Sequence, residues 1–244
     1  MQTVYVDNNA TTQVAPEVVD AIMPYLKDIY YNPSSMYNQA KEAGKAIEDS
    51  RRTISNFFSI RPEQILFTSC ATESNNNAIF GTVNAIPQKK HIITSSVEHP
   101  AVLEVCMYLQ KKGYDITFLP VDTSGQINIK DYVSALRQDT LLVTLMHANN
   151  ETGVIFPIDE YARIAKETNP EIIFHTDATQ SVGKMAINLE TQYKNINLLS
   201  FSGHKLHAPK GIGALFIRKG TRCRPFLIGG HQEKGRRAGT ENVP

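Results

Sequence analysis

Residues 171–205 read EIIFHTDATQSVGKMAINLETQYKNINLLSFSGHK, and this stretch decides the fold. Its two ends, EIIFHTD (171–177) and INLLSFS (196–202), are short runs that are apolar on both faces, as buried parallel strands are. Each run then stops in polar chemistry: Asp177-Ala178-Thr179-Gln180 follows the first, and Ser202-Gly203-His204-Lys205 follows the second. In an open α/β sheet, ligands bind beyond the carboxyl ends of the strands, so a site is to be sought at these junctions.

The alternation continues outward in both directions. ILFTS (65–69), HIITS (91–95), DITFLP (115–120), LLVTLMHA (141–148) and GALFIRK (213–219) read as further strands. Between them, Glu73–Ala85, Pro100–Lys112, Ile129–Arg137 and Ile158–Glu167 carry apolar residues at three- and four-residue spacing, as Val102, Val105, Cys106 and Leu109 do, and read as covering helices. Further upstream, Pro16 suits the first turn of a helix. Residues 34–59 read as a long helix with Ala43, Ala46, Ile47, Ile54 and Phe57 on its buried side, and both helices are expected beside the sheet or against a partner subunit. The expected class is α/β, a mostly parallel seven-stranded sheet covered by helices, with 1–15 as an N-terminal segment and 16–244 as one large domain.

Composition narrows the function. The 244 residues are 41% hydrophobic and 20% charged, enough to bury a substantial core, which excludes a disulfide-stapled mini-protein and predominant disorder. With 25 basic against 24 acidic side chains, the net charge of +1 gives no electrostatic footprint for nucleic acid or an anionic membrane. The basic residues Arg218, Lys219, Arg222, Arg224, Lys234, Arg236 and Arg237 lack interleaved aromatics and suit a solvated face or small anionic groups. Cys70, Cys106 and Cys223 have no CxxC spacing, which argues against a disulfide framework or a zinc cage and fits a reducing compartment. No metal is expected at His204, His207, His231 and Cys223 either, because no carboxylate or second cysteine stands at ligand spacing. The N-terminus has no basic region followed by an apolar run, and no stretch reaches the roughly 18 apolar residues of a membrane span, so the cytoplasm is the expected location.

The strand ends supply the candidate site, and each residue there has two readings. Ala71, Thr72 and Glu73 open a helix whose free N–H groups suit a phosphate; alternatively Ser69 or Thr72 makes an ordinary cap. Lys205, just past an apolar strand, can turn back over the sheet rim and form a Schiff base if partly desolvated, or can be a solvated surface lysine. Asp177 closes a strand too apolar for an unpartnered carboxylate; it partners either a protonated pyridine nitrogen or a lysine nearby, or serves as an N-cap. His99 can lie over a ring and move protons, or cap the following helix. Gln180 can reach a phenolic oxygen and Asn150 a carboxylate or ring oxygen, although loop amides usually bond backbone.

Taken together, DNNATT (7–12), NPSS (32–35), SCATESNN (69–76), EHPAV (98–102), HANNETG (147–153), HTDATQSVGK (175–184), SFSGHKLHAPKGIG (200–213) and GGHQEKGRRAGTENVP (229–244) closely resemble the cysteine desulfurases, in the branch typified by the nitrogen-fixation enzyme. The resemblance implies the large domain of a fold-type I pyridoxal 5'-phosphate enzyme, a homodimer that converts L-cysteine to L-alanine and leaves the sulfur as a persulfide. It implies Lys205 as the Schiff-base lysine, Asp177 as the pyridinium partner and Gln180 as the ligand of the ring hydroxyl. His99 becomes the stacking imidazole that also handles protons, and Asn150 an active-site amide. Ala71, Thr72, Ser202 and His204 match the phosphate binders, and Thr240 the phosphate contact given to the neighbouring subunit.

Two departures accompany the resemblance. The family's sulfur-accepting cysteine and its carboxylate-gripping arginine lie in a C-terminal small domain, which this chain is expected to lack, so a sulfur-acceptor protein or a second polypeptide is an expected partner. Cys70, Cys106 and Cys223 match no nucleophile position. Ala208 also stands where the family commonly has glycine before the proline. A selenocysteine lyase or aminotransferase of the same class would use the same lysine and aspartate, and a non-catalytic cofactor-binding scaffold is the reading from a different class. The destination of the sulfur, whether iron–sulfur cluster assembly, tRNA thiolation or another acceptor, stays open.

Overall fold

The computed structural model describes residues 4–244; residues 1–3 of the expected N-terminal segment lie outside the described residues. In chain order the main elements are α1 (Pro16–Lys27), α2 (Asn38–Phe57), β1 (Ile65–Thr68), α3 (Ala71–Ala85), β2 (His91–Ser95), α4 (Pro100–Lys111) and β3 (Asp115–Leu119). Then come α5 (Ile129–Ala135), β4 (Thr140–Thr144), α6 (Ile158–Thr168), β5 (Ile173–Asp177), β6 (Leu198–Ser202), a single 3-10 turn at Gly203–Lys205, and β7 (Gly213–Ile217). All seven expected strands form, in the order β1-β7-β6-β5-β4-β2-β3.

The four ladders among β2 to β6 are parallel, whereas β7 runs antiparallel to both β1 and β6. The reason is the link between β6 and β7. Segment 203–212 holds only the 3-10 turn, too little chain for the crossover that a parallel partner requires, so the strand returns beside its predecessor. This reversal places the carboxyl end of β6, the start of β7 and the end of β1 together, with Gly213 paired to both Ser202 and Thr68.

Each strand divides its residues between two apolar layers with a period of two. Leu66, Ile92, Leu142, Ile173, Leu198 and Leu215 meet Ala78, Ile79 and Val83 of α3 and Val102, Val105 and Cys106 of α4. Their immediate neighbours Ile65, Ile93, Val143, Phe174, Leu199 and Phe216 meet Tyr132 of α5 and Tyr161, Ala162 and Ala165 of α6 on the other face. The sheet is therefore covered on both sides, and its carboxyl rim is the edge left open for a ligand.

The long N-terminal helix departs from expectation. It starts at Asn38 rather than residue 34, because the Asn32 side chain accepts from Ser34 N at 2.9 Å and turns the NPSS segment first. Its buried side holds Ala43 as expected, but Phe57 is 50% exposed and Ala46 and Ile47 are only half-buried. Phe58, one residue on, enters the core instead: it is the C-cap, the chain turns at Ser59 (φ 59°), and its ring packs 5.6 Å from that of Phe201. Arg51 and Ser55, both polar, complete the buried side. Helix α1 buries none of its residues. Among the described residues, no helix is long and apolar enough to cross a membrane.

Candidate functional site

The rim residues converge on a cavity of about 330 Å³. Its walls carry Ala71 and Thr72 after β1, His99 after β2, Asn150 after β4, Asp177 and Gln180 at the end of β5, and Ser202, His204 and Lys205 at the end of β6. Nine of the ten expected site residues are thus brought together. Thr240 is not: it is exposed and borders a neighbouring cavity of about 230 Å³ together with Ser69 and Arg237.

The anion-binding end is built by the start of α3. Its N-cap is Cys70, which makes no side-chain cap bond, and the first bond of the helix is Ser74 N to Cys70 O, so the N–H groups of Ala71, Thr72 and Glu73 remain open. The reading of an ordinary cap by Ser69 or Thr72 therefore does not hold. Glu73 instead folds its carboxylate back to accept from Ser69 N at 2.8 Å, and Arg237 Nε donates to it at 2.6 Å. These contacts hold Glu73 below its ordinary value against the opposing effect of burial, and they keep the acid turned onto Ser69 and Arg237. The close approach of this loop requires a glycine on the facing strand, since a Cβ on Gly213 would lie 2.6 Å from the Cys70 carbonyl carbon.

Asp177 is 6% exposed, and its partners are neutral donors: Asn75 Nδ2 at 2.7 Å on one oxygen and Thr179 N at 2.9 Å on the other. Among the described residues it has no ion-pair partner. A buried acid so placed suits a cationic ligand group. Asn75 was not foreseen: it lies within a polar run, TESNNN, that reads as solvent-facing, yet it is fully buried with Oδ1 unpartnered. The signal was its spacing, one helical turn after the loop residue Ala71.

Lys205 is half-buried rather than solvated, and its ammonium donates to the carbonyls of Ala10, at 2.9 Å, and Asn9. Burial, then the nearby Lys184, draw its value below that of an ordinary lysine, opposed by Asp7 and Asp177. Gln180 donates to Asn9 O at 2.9 Å and accepts from Lys184 at 3.1 Å. His99 caps α4, its Nδ1 accepting from Ala101 N at 3.1 Å, and the residue also borders the cavity. The cap fixes Nδ1 as the acceptor and leaves Nε2 to exchange a proton. The Ala208 departure does not open the loop, as Ala208 N donates to Gly203 O at 3.1 Å; the left-handed residue is His207, at φ 60°.

Glu98, beside His99, is a second unforeseen feature. One carboxyl oxygen accepts from Ser95 Oγ at 2.6 Å and Met146 N at 3.0 Å, tying the ends of β2 and β4 together, while the other is buried without a partner. Burial, with a smaller push from Asp177, raises this acid from 4.5 to about 8. The folded state therefore holds the proton more tightly than the unfolded chain. Its stabilising contribution is complete below pH 4.5 and is lost as pH rises through about 8, at up to about 1.4 kcal/mol per pH unit. Glu98→Gln keeps the shape without the titration. In urea unfolding over this range, wild type should lose stability relative to the variant as pH rises; parallel curves would show that Glu98 is ionised in the fold.

Burial pushes Cys106 and Cys223 up to about 12, which disfavours the thiolate at both, and Cys70 borders the cavity. Among the described residues, no group of three or more His, Cys, Asp or Glu side chains could hold a metal ion.

The profile of the aminotransferase class-V family matches residues 4–244. Cysteine desulfurase 2 of Trichormus variabilis is 53% identical over 244 residues, and the cysteine desulfurase NifS of Azotobacter vinelandii is 49% identical over the same length. In both cases all of this chain is covered but only 60% of the relative, so the chain spans about three-fifths of the curated relatives it matches. Among solved structures, a NifS-like protein superposes with a TM-score of 0.96 at 40% identity, covering 99% of this chain and 66% of that one. SspA in complex with cysteine gives 0.93 at 40% identity, covering 99% and 69%.

Proposed function

Because the chain belongs to the aminotransferase class-V family, we propose that it binds pyridoxal 5'-phosphate in the 330 Å³ cavity and forms the cofactor-binding part of a cysteine desulfurase, L-cysteine to L-alanine. The observation that carries this reading is the sharing of one cavity by a half-buried lysine, a buried carboxylate with no ion-pair partner among the described residues and a helix start with open N–H groups. The donor set fits the cofactor at three points: an amine for its aldehyde, an acid for its ring nitrogen and N–H donors for its phosphate.

When bound, the group supplies an electron sink for a carbanion at the substrate α-carbon. The remaining work falls to the chain. Ala71 and Thr72, through main-chain N–H groups, and Ser202 and His204 hold the phosphate. Asp177, braced by Asn75 and Thr179, holds a proton on the ring nitrogen, while Gln180 orients the ring hydroxyl and Asn150 the substrate or ring oxygen. Lys205 Nζ is the amine that would hold the group covalently, and as a free amine it would take the α-proton; His99 Nε2 would exchange the proton on the sulfur side. None of Cys70, Cys106 and Cys223 supplies the sulfur-accepting thiol, so the acceptor belongs to a partner protein or to another segment of the enzyme. Residues 16–244 constitute the large domain. A homodimer in the cytoplasm, with Thr240 serving the neighbouring subunit, completes the proposal; the three free cysteines and the exposed α1 support it.

The desulfurase reading is preferred to selenocysteine lyase or aminotransferase on the names of the relatives. The test is to add pyridoxal 5'-phosphate, L-cysteine and an excess of a small thiol to the chain, and to measure alanine and sulfide. Equal amounts of both are expected. Cofactor binding with no alanine would leave the scaffold reading, and no binding at all would refute the cavity assignment.

A further inference from the structure

The turn that carries Lys205 is closed locally by only two main-chain bonds, from Leu206 N and Ala208 N to Gly203 O, at 2.8 and 3.1 Å. Gly203–Lys205 is one 3-10 turn, and His207, two residues on, is in the left-handed region at φ 60°. A further anchor, on both sides of the lysine, comes from almost 200 residues away. Thr12 N and Thr12 Oγ1 both donate to His204 O, at 3.0 and 2.9 Å, and the same hydroxyl accepts from His207 N at 2.8 Å. One side chain thus bonds the main chain on either side of Lys205. Thr12 is only 7% exposed, so water does not replace these bonds. Adjacent residues extend the contact: Ala15 N donates to His207 O at 3.0 Å, and the carbonyls of Asn9 and Ala10 receive the Lys205 ammonium.

We propose that Thr12 is a positioning residue for Lys205: its hydroxyl locks the lysine turn to the N-terminal segment and thereby sets where the amine stands in the cavity. The inference rests on the reading of Lys205 as the cofactor-attaching amine. It requires a group that donates and accepts at once, which serine also offers and valine, of the same shape, does not. In Thr12→Val, His207 N loses its acceptor, and the turn can swing away from the carbonyls that now receive the ammonium.

The first readout needs no cofactor. Hydrogen exchange at the His207 amide is expected to accelerate about tenfold in Thr12→Val, and acetylation of Lys205 by acetic anhydride severalfold, as the amine leaves its two carbonyls. Thr12→Ser should restore both, and Gln13→Ala, whose exposed side chain takes no part, should match wild type. With pyridoxal 5'-phosphate, the visible absorbance band should form about tenfold more slowly in Thr12→Val and at the wild-type rate in Thr12→Ser. Circular dichroism identifies a variant that has simply unfolded, in which case Thr12→Ala, which also lacks the hydroxyl, takes the place of Thr12→Val with the same acceleration expected; wild-type exchange and labelling in it would overturn the proposal. Wild-type exchange and labelling in folded Thr12→Val would also overturn it, as would altered exchange with an unaltered rate of band formation. If no band forms even in wild type, the cofactor reading fails, whereas the exchange and labelling results still decide whether Thr12 positions the lysine.

Discussion

Lys205→Ala will abolish the visible absorbance band that appears when pyridoxal 5'-phosphate is added to the protein, and will lower any turnover of L-cysteine by on the order of a thousandfold or more. The expectation follows from how the lysine is kept. An exposed lysine keeps only a small unprotonated fraction at neutral pH and attacks an aldehyde slowly, whereas this one is half-buried, lies near Lys184 and is drawn below the ordinary lysine value, mainly by burial. Other lysines near the rim lack that setting in full: Lys184 contacts Gln180 outside the cavity wall, and Lys210 is exposed. Because the phosphate and ring contacts do not involve Nζ, the variant should still bind cofactor noncovalently, with weaker affinity. A band of undiminished intensity in Lys205→Ala would place the attachment elsewhere.

The rim was legible in the sequence because each apolar run ended in polar residues, and the alternation of strands and helices fixes where such ends meet. Asp177 and Lys205 were found in this way. Asn75 was hidden by its neighbours, since a run of asparagines on a helix reads as solvent-facing until the partner at Asp177 is seen. Thr12 was hidden by distance, because nothing local shows that its hydroxyl serves a turn at residues 204–207. The buried side of α2 was misread at Phe57 because helical periodicity stops applying at the cap, where Phe58 turns inward. Arg51 was overlooked there for a related reason: a charged residue is taken as exposed unless its partner is known, and that partner, Glu233, lies 182 residues away.

The Arg51–Glu233 pair leads to the second large effect. Glu233→Ala should destabilise the fold by about 3–5 kcal/mol, lowering the melting temperature by roughly 6–20 °C. Arg51 is 3% exposed and Glu233 5%. The guanidinium donates to both carboxylate oxygens, at 2.8 and 2.7 Å, to Ile65 O at 3.0 Å and to Glu48 at 3.0 Å. Burial opposes its charge, but Glu233 and Glu48 more than offset this, so Arg51 stays above its ordinary value. Removing the carboxylate alone leaves a buried cation whose strongest partner is gone. It also frees a strained backbone: Glu233 and Lys234 both sit at positive φ, 48° and 59°, which non-glycine residues adopt only when the surroundings compel them.

A control distinguishes the lost pair from a generally fragile segment. Replacing both partners by apolar residues, Arg51→Met with Glu233→Leu, should cost less than Glu233→Ala alone, because no charge is stranded. The consequence also reaches the candidate site, since the segment held by Glu233 carries Arg237, which braces Glu73 at the start of α3. Cofactor affinity should therefore fall in Glu233→Ala even at temperatures where the fold persists. A melting temperature within a degree or two of wild type would show that the pair is not a determinant of stability.

The central claim is that one pyridoxal ring lies between the amine of Lys205 and the carboxylate of Asp177, and a crystal structure of the protein grown with pyridoxal 5'-phosphate tests it most directly. The account predicts the ring bonded to Lys205 with its nitrogen at Asp177, His99 over its face, and the phosphate at the start of α3. A cofactor bound elsewhere, or a ring in this cavity whose nitrogen faces away from Asp177, would contradict it.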